Sequence, residues 1–324
     1  SGLLFDYQLT AEKLLSEAAK EAQVSNPAVA GVFSLGALST LDRFSISTVP
    51  TPLRGAAVRE PGVAGMFYPA EPAELWNMVD GMLAGEPNPK SWPAAMVPHA
   101  GLVYSGRIAA SVLKRLLIPD TVIIIGPKHT PLGMEWAVAP HQTWSLPGCT
   151  LESDPKLARQ LAQAIPGLEL DAAAHQREHG IEVELPFIAR MAPQTKVVGI
   201  VIGGGDLERC RQFAAGLASV LREREVQPLL LISSDMNHFA TDAENRRLDE
   251  MALKALDTLD PKTIYETVTE NRISMCGVLP AIIVLETLRL LNGLKKAERV
   301  DYATTADVTH DKSRVVGYAG MLFG

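Results

Sequence analysis

The chain has 324 residues, 47% hydrophobic and 21% charged, with 30 basic against 37 acidic side chains and a formal net charge of −7. This composition suits a folded globular protein; it excludes disordered and fibrous classes and offers no positive surface for nucleic acid or an anionic membrane. No apolar run reaches the ~18–20 residues of a membrane span. The opening residues lack the charged-then-apolar pattern of a secretory signal. Three scattered cysteines, Cys149, Cys210 and Cys276, do not make a disulfide framework, so the expectation is a reduced, cytoplasmic protein.

In chain order, Leu9, Leu14, Leu15, Ala18 and Ala22 recur at near-helical spacing and predict a helix over residues 10–23. A Ser/Thr/Pro stretch ending in Pro50-Thr51-Pro52 reads as a linker. The domain division expected from this is an N-terminal extension, 1–55, and an α/β domain, 56–324. Glu71-Pro72 opens a helix whose stripe is Leu75, Met78, Val79, Met82 and Leu83. A short apolar run over 94–97 precedes a helix from about 107 to 117, and the β-branched run 122–125 reads as a strand buried on both faces. Asp154-Pro155 caps a helix through 165. Runs at 197–202 and 229–232 are further buried strands on either side of a helix over 206–224. Helices follow near 242–257, 261–270 and 279–291, with late strands near 300–305 and 315–321. Buried strands alternating with helices predict an α/β fold around a central, mostly parallel or mixed sheet flanked by helices.

In such a sheet, ligands bind beyond the carboxyl ends of the strands. Three of the seven histidines leave strands there: His99 in Pro98-His99-Ala100-Gly101, His129 in Gly126-Pro127-Lys128-His129, and His238 after Ser233-Ser234-Asp235. Imidazole is the commonest protein metal ligand and a base tuned near neutral pH, so a metal site or an acid–base site is expected. Cys276, just before the helix at 279–291, is placed where a helix N-terminus lowers a thiol pKa. His175-Gln176-Arg177-Glu178-His179 matches the His-x-x-Glu-His pattern of inverted zinc proteases, but Gly180 follows at once and no amphipathic helix leads in, so the match is read as a decoy. His179 and Glu182, three apart at a helix start, share a face and are placed to orient a ligand or meet substrate.

These segments together resemble the Memo family, the protein B component of the AmmeMemoRadiSam system. The resemblance runs through Arg59-Glu60-Pro61-Gly62-Val63-Ala64-Gly65-Met66-Phe67-Tyr68-Pro69, the His99 and His129 turns, Glu178-His179-Gly180-Ile181-Glu182, Ser233-Ser234-Asp235-Met236-Asn237-His238 and Cys276-Gly277. It covers about 56–324. The family is similar in fold to class III extradiol ring-cleaving dioxygenases. The resemblance implies His99, His129 and Cys276 as metal ligands and His238 as acid–base histidine, its tautomer set by a neighbour such as Asp235. His179 and Glu182 are expected to line the substrate pocket, with Lys128 adding a cation near it. Two histidines and one anion around open positions suit Fe(II), and a thiolate makes copper or zinc plausible as well. The implied activity is a dioxygenase-like oxidoreductase acting on an electron-rich small molecule with O2, with AmmeMemoRadiSam proteins as partners. A non-catalytic module binding a phosphopeptide or protein in the same cleft is the alternative, and a metal-free hydrolase using Cys276 with His238 a third. Leu102, Lys128, Thr130 and Phe239 depart from the family pattern, and Lys128 favours an anionic ligand.

Overall fold

The structure is a computed structural model that describes residues 51–324 other than Pro87, together with Ser16, Ala19 and Lys20. The chain divides into two units, 1–50 and 51–324. Ser16, Ala19 and Lys20 are helical; the rest of the helix expected over 10–23, and most of the Pro-rich stretch, lie outside the described residues. The second unit carries the sheets, the remaining helices and all the expected site residues.

Its strands are β1 (Val58–Arg59), β2 (Ala94–Val97), β3 (Thr121–Pro127), β4 (Trp136–Val138), β5 (Thr143–Leu146), β6 (Cys149–Glu152), β7 (Glu169–Leu170), β8 (Lys196–Ile202), β9 (Leu229–Ser233), β10 (His238–Ala240), β11 (Ala297–Thr304) and β12 (Val315–Phe323). Its helices are α1 (Pro72–Leu83), α2 (Leu102–Leu113), α3 (Pro155–Ala164), α4 (Leu185–Met191), α5 (Leu207–Arg222), α6 (Asp242–Asp257), α7 (Pro261–Glu270), α8 (Val278–Leu290) and the single turn α9 (Ala306–Thr309). A nine-stranded mixed sheet runs β10-β12-β2-β9-β3-β8-β4-β7, with β11 also paired to β12; β1, β5 and β6 form a small separate sheet. The fold is therefore α/β, with a large mixed sheet between helices.

At its centre β2, β9, β3 and β8 are parallel. Helices cover both faces of these strands, which is why the strands read as unbroken apolar runs rather than alternating ones. The pleat still divides each run. Met96, Ile123, Ile125, Val198, Ile200, Leu230 and Ile232 enter the core shared with α5 and α8, while Val97, Val122, Ile124, Val197, Val201 and Leu231 enter the opposite core with α1 and α2. Because the four strands are parallel, their carboxyl ends lie on one edge.

Most expected elements stand where the periodicity puts them, and caps explain their ends. Asp154 accepts from the Leu157 amide and Asp260 from the Lys262 and Thr263 amides, each before a Pro in the first turn. The helix expected from about 107 instead starts at Leu102, directly off the His99 turn, with Gly101 as its cap. No Ser, Thr or Asp marks that entry, and Gly106 reads as a breaker. In the fold Gly106 makes room for Met82 of α1: a Cβ there would lie 2.6 Å from the Met82 sulfur. The two- to four-residue strands between 136 and 170 carry too few residues for a periodic signal and are absent from the sequence-based reading, and the helix start expected at 179–182 falls instead at Leu185, where α4 begins. Among the described residues no helix is long and apolar enough to cross a membrane.

Candidate functional site

The parallel edge delivers the site. His99 follows β2 and His129 follows β3, while β9 ends at Ser233 and releases Asp235 and His238. His179 comes from the loop before α4 and Cys276 from the loop before α8. His99, His129 and His179 each offer a ligand atom, and these atoms lie within 4.8 Å of one another. The His129 and His179 rings stack at 4.3 Å, and His99 meets them edge-on at 5.1 and 5.3 Å. Phe67 stacks on the other face of His179 at 4.4 Å and closes that side.

Two of these rings are locked through Nδ1. The His99 Nδ1 lies 2.6 Å from Ser233 Oγ, and that hydroxyl donates to the Gly180 carbonyl, so the ring must be the donor. The His129 Nδ1 donates to Glu178 Oε1 at 2.7 Å. Both rings therefore keep the Nε2 lone pair, the arrangement by which a hydrogen-bonded partner fixes a metal-binding histidine. Cys276 Sγ sits 3.4 Å from His99 Nε2. Such a donor set, three imidazoles with a thiol beside them, fits a first-row transition metal.

Electrostatics keep His99 and His179 neutral. Burial, then the His129 charge, pushes His99 down to about 3. Burial, then His99 and His129, pushes His179 down to about 4. Burial alone would raise Glu178, but the His129 ring bond and charge, with the Gly180 and His129 amides, outweigh it and hold the carboxyl at about 2. That carboxylate also accepts from the His179 amide. Glu178 and Ser233 are the site residues the sequence reading did not single out; the available signal was a carboxylate directly preceding His179 and a hydroxyl ending the strand before Asp235.

Other expected residues take different places. Glu182 does not line the pocket: fully buried, it pairs with Arg59 and accepts from the Gly62 and Val63 amides and the Tyr68 hydroxyl, tying down the 59–68 segment. His179 lies outside the 3-10 turn that Glu182 opens, so the two do not share one helical face. Asp235 does not set the His238 tautomer. Its carboxylate accepts from the His99 amide at 2.9 Å, while His238 Nδ1 lies 2.9 Å from the Ser274 carbonyl. Lys128 donates to the Thr130 carbonyl and is half-buried, its pKa lowered chiefly by desolvation. Cys276 has a raised pKa, not a lowered one, because burial and then the Asp235 charge outweigh the Asp235 amide and Ser234 hydroxyl that favour the thiolate. His175 ends a separate 3-10 turn with its ring buried against Trp144, so it and His179 do not share a helical turn as a zinc protease requires.

A family model described as Memo-like protein matches residues 59–322. The chain is 39% identical over 268 residues to a MEMO1 family protein of Aquifex aeolicus, covering 82% of this chain and 99% of that one. It is 37% identical over 266 residues to a MEMO1 family protein of Archaeoglobus fulgidus, again 82% of this chain and 99% of the relative. The crystal structure of an uncharacterized protein from Escherichia coli K12 has a TM-score of 0.50 at 13% identity, covering 71% of this chain and 99% of that chain, a likeness of fold.

Proposed function

The chain belongs to the Memo family, and on that premise we propose that it is a metal-dependent oxidoreductase, dioxygenase-like, acting on an electron-rich small molecule. The observation that carries this reading is the convergence of His99, His129 and His179, two of them held through Nδ1 so that each keeps its Nε2 lone pair. These three would hold the metal, with Cys276 Sγ beside His99 as an anionic donor once deprotonated. Iron is the first expectation, copper or zinc the alternatives; iron bound there would supply redox chemistry and open positions for O2 and substrate.

The chain's own residues do the rest. Ser233 and Glu178 hold His99 and His129 in register, and Asp235 fixes the His99 backbone. In its neutral form His238 donates from Nδ1 to Ser274 and keeps Nε2 free to take a substrate proton. Phe67 shields His179 from water. Met66, Val103, Tyr104 and Phe239, exposed apolar side chains on the segments that carry the site, offer surface to an aromatic substrate. Lys128, next to His129 in the chain, supplies a positive charge for an anionic substituent.

The test is metal content of tag-free protein purified without oxygen, wild type beside His99→Ala and Cys276→Ala, followed by oxygen uptake with electron-rich aromatics. Near-equimolar iron lost in His99→Ala supports the site; retention in Cys276→Ala assigns the third position to His179. Absence of metal from the wild type overturns the reading, and phosphopeptide binding that survives chelation then favours a non-catalytic cleft.

A further inference from the structure

Behind His238 lies a chain of buried polar side chains that the site chemistry does not use. It starts at Asp249 on α6, whose carboxylate sits beneath Gly317 of β12, where a Cβ would collide with it. Asp249 accepts from the Asn237 amide at 2.7 Å, from Asn245 Nδ2 at 2.9 Å and from the Tyr302 hydroxyl at 2.6 Å. Asn245 Oδ1 in turn accepts from Asn237 Nδ2 at 2.8 Å. Asn237 Oδ1 accepts from the Ser274 amide at 3.0 Å and its hydroxyl at 3.1 Å. Ser274 Oγ accepts the His238 amide at 2.8 Å, and the Ser274 carbonyl stands 2.9 Å from His238 Nδ1. Asn237, Asn245 and Asp249 are all but inaccessible to solvent.

We infer that Asn237, backed by Asn245 and Asp249, is a positioning residue that holds Ser274 against His238 and so fixes the His238 tautomer with its proton on Nδ1. The inference rests on the acid–base role proposed for His238 but reads out independently of turnover.

Donor and acceptor counting gives the chain one direction. An ionised carboxylate only accepts, so Asn245 must turn its NH2 to Asp249 and its oxygen to Asn237. Asn237 must then present its own NH2 to Asn245 and its oxygen to Ser274. The Ser274 carbonyl that faces the His238 ring can only accept, and the two bonds from the Ser274 amide and hydroxyl to Asn237 Oδ1 hold that carbonyl in place. The proton belongs on Nδ1, and Nε2 is left as the base. The same carboxamide ties the loop bearing Cys276 to the strand bearing His238, so one group aligns both sides of the cleft.

The experiment is long-range 15N NMR on metal-free protein labelled at histidine, at pH 8, for wild type, Asn237→Ala and Ser274→Ala. The wild type is expected to show His238 as a single tautomer with Nδ1 protonated. Both variants keep the residue 274 carbonyl and remove bonds that hold it against His238 Nδ1, so each is expected to relax toward the mixture of tautomers of free imidazole, Asn237→Ala further than Ser274→Ala. Ser274 is exposed, so its variant carries the test if Asn237→Ala does not fold. A wild-type His238 protonated on Nε2, or folded variants that keep the wild-type spectrum, overturns the inference. A wild-type spectrum as expected in a protein that takes up no oxygen leaves the tautomer lock standing and removes only the oxidoreductase reading.

Discussion

Two patches lie back to back across the 175–182 segment, the front one open to solvent at His129 and the back one buried, and they contain the same kinds of side chain. In front are His99, His129, His179 and Glu178; behind are His141, His175, Trp144, Arg59 and Glu182. Arg59 touches both, donating to the His175 and Glu178 carbonyls. Burial lowers His99 to about 3 and His175 to about 3, so burial does not distinguish a ligand from a core histidine. Hydrogen-bond commitment does. In front, Ser233 and Glu178 occupy Nδ1 of two rings and the free nitrogens converge. Behind, no side chain bonds either nitrogen of His175 or Nδ1 of His141, and the carboxylate is spent on Arg59, Tyr68 and two amides. The front is organised for a ligand and the back for the fold.

Three experiments press on that division, from the largest effect to the smallest. Glu182→Ala leaves Arg59 buried without its counter-charge, and removing one member of a buried pair costs about 3–5 kcal/mol. A urea melt should show that loss while the folded fraction takes up added Fe(II) as the wild type does. Metal lost with no loss of stability would break the division.

The second uses acid. Unfolded histidines protonate near 6.5; burial, then the His141 and Arg59 charges, lowers folded His175 to about 3, and burial, then Arg59, lowers His141 to about 4. Below pH 6.5 the unfolded chain therefore binds more protons, and stability falls with pH down to about 3. His175→Phe should remove on the order of 3 kcal/mol of the loss between pH 7 and pH 4. Thermal melts across that range check it; an unchanged slope would mean that His175 is not held neutral.

The third returns to the front. Glu178→Gln keeps the size of the group but not the charge that orients His129. Loss of such an outer partner typically weakens metal binding by about 10–100-fold. Chelator competition measures this directly, and the melt of the metal-free protein should move far less than in Glu182→Ala.

Much of the molecule is legible in the chain itself. Apolar runs at 94–97 and 122–125, each followed by a Gly- or Pro-bearing turn, announce strands buried on both faces and place His99 and His129 at one edge. The Glu178–Glu182 stretch reads as a unit, yet its two carboxylates exchange the importance that spacing assigns them. Spacing of three suggests that Glu182 shares a face with His179. The chain there makes short turns instead of a helix, so the residue adjacent to the histidine serves the site and the distant one serves Arg59. Cys276 shows the same limit: position before a helix argues for a thiolate, and burial beside Asp235 reverses the sign.

The sequence by itself determined the alternation of strands and helices, the edge where the histidines gather and membership of the Memo family, because these follow from patterns a few residues long repeated in order. Only the tertiary structure decided which nitrogen of each histidine is free, that His179 joins His99 and His129, and that Asn237 stands behind His238. Those outcomes depend on donors and acceptors meeting at about 3 Å across gaps of 36 residues (His238 and Ser274) to 134 residues (His99 and Ser233). No local pattern specifies a contact at that separation; the packing of the sheet and its loops does.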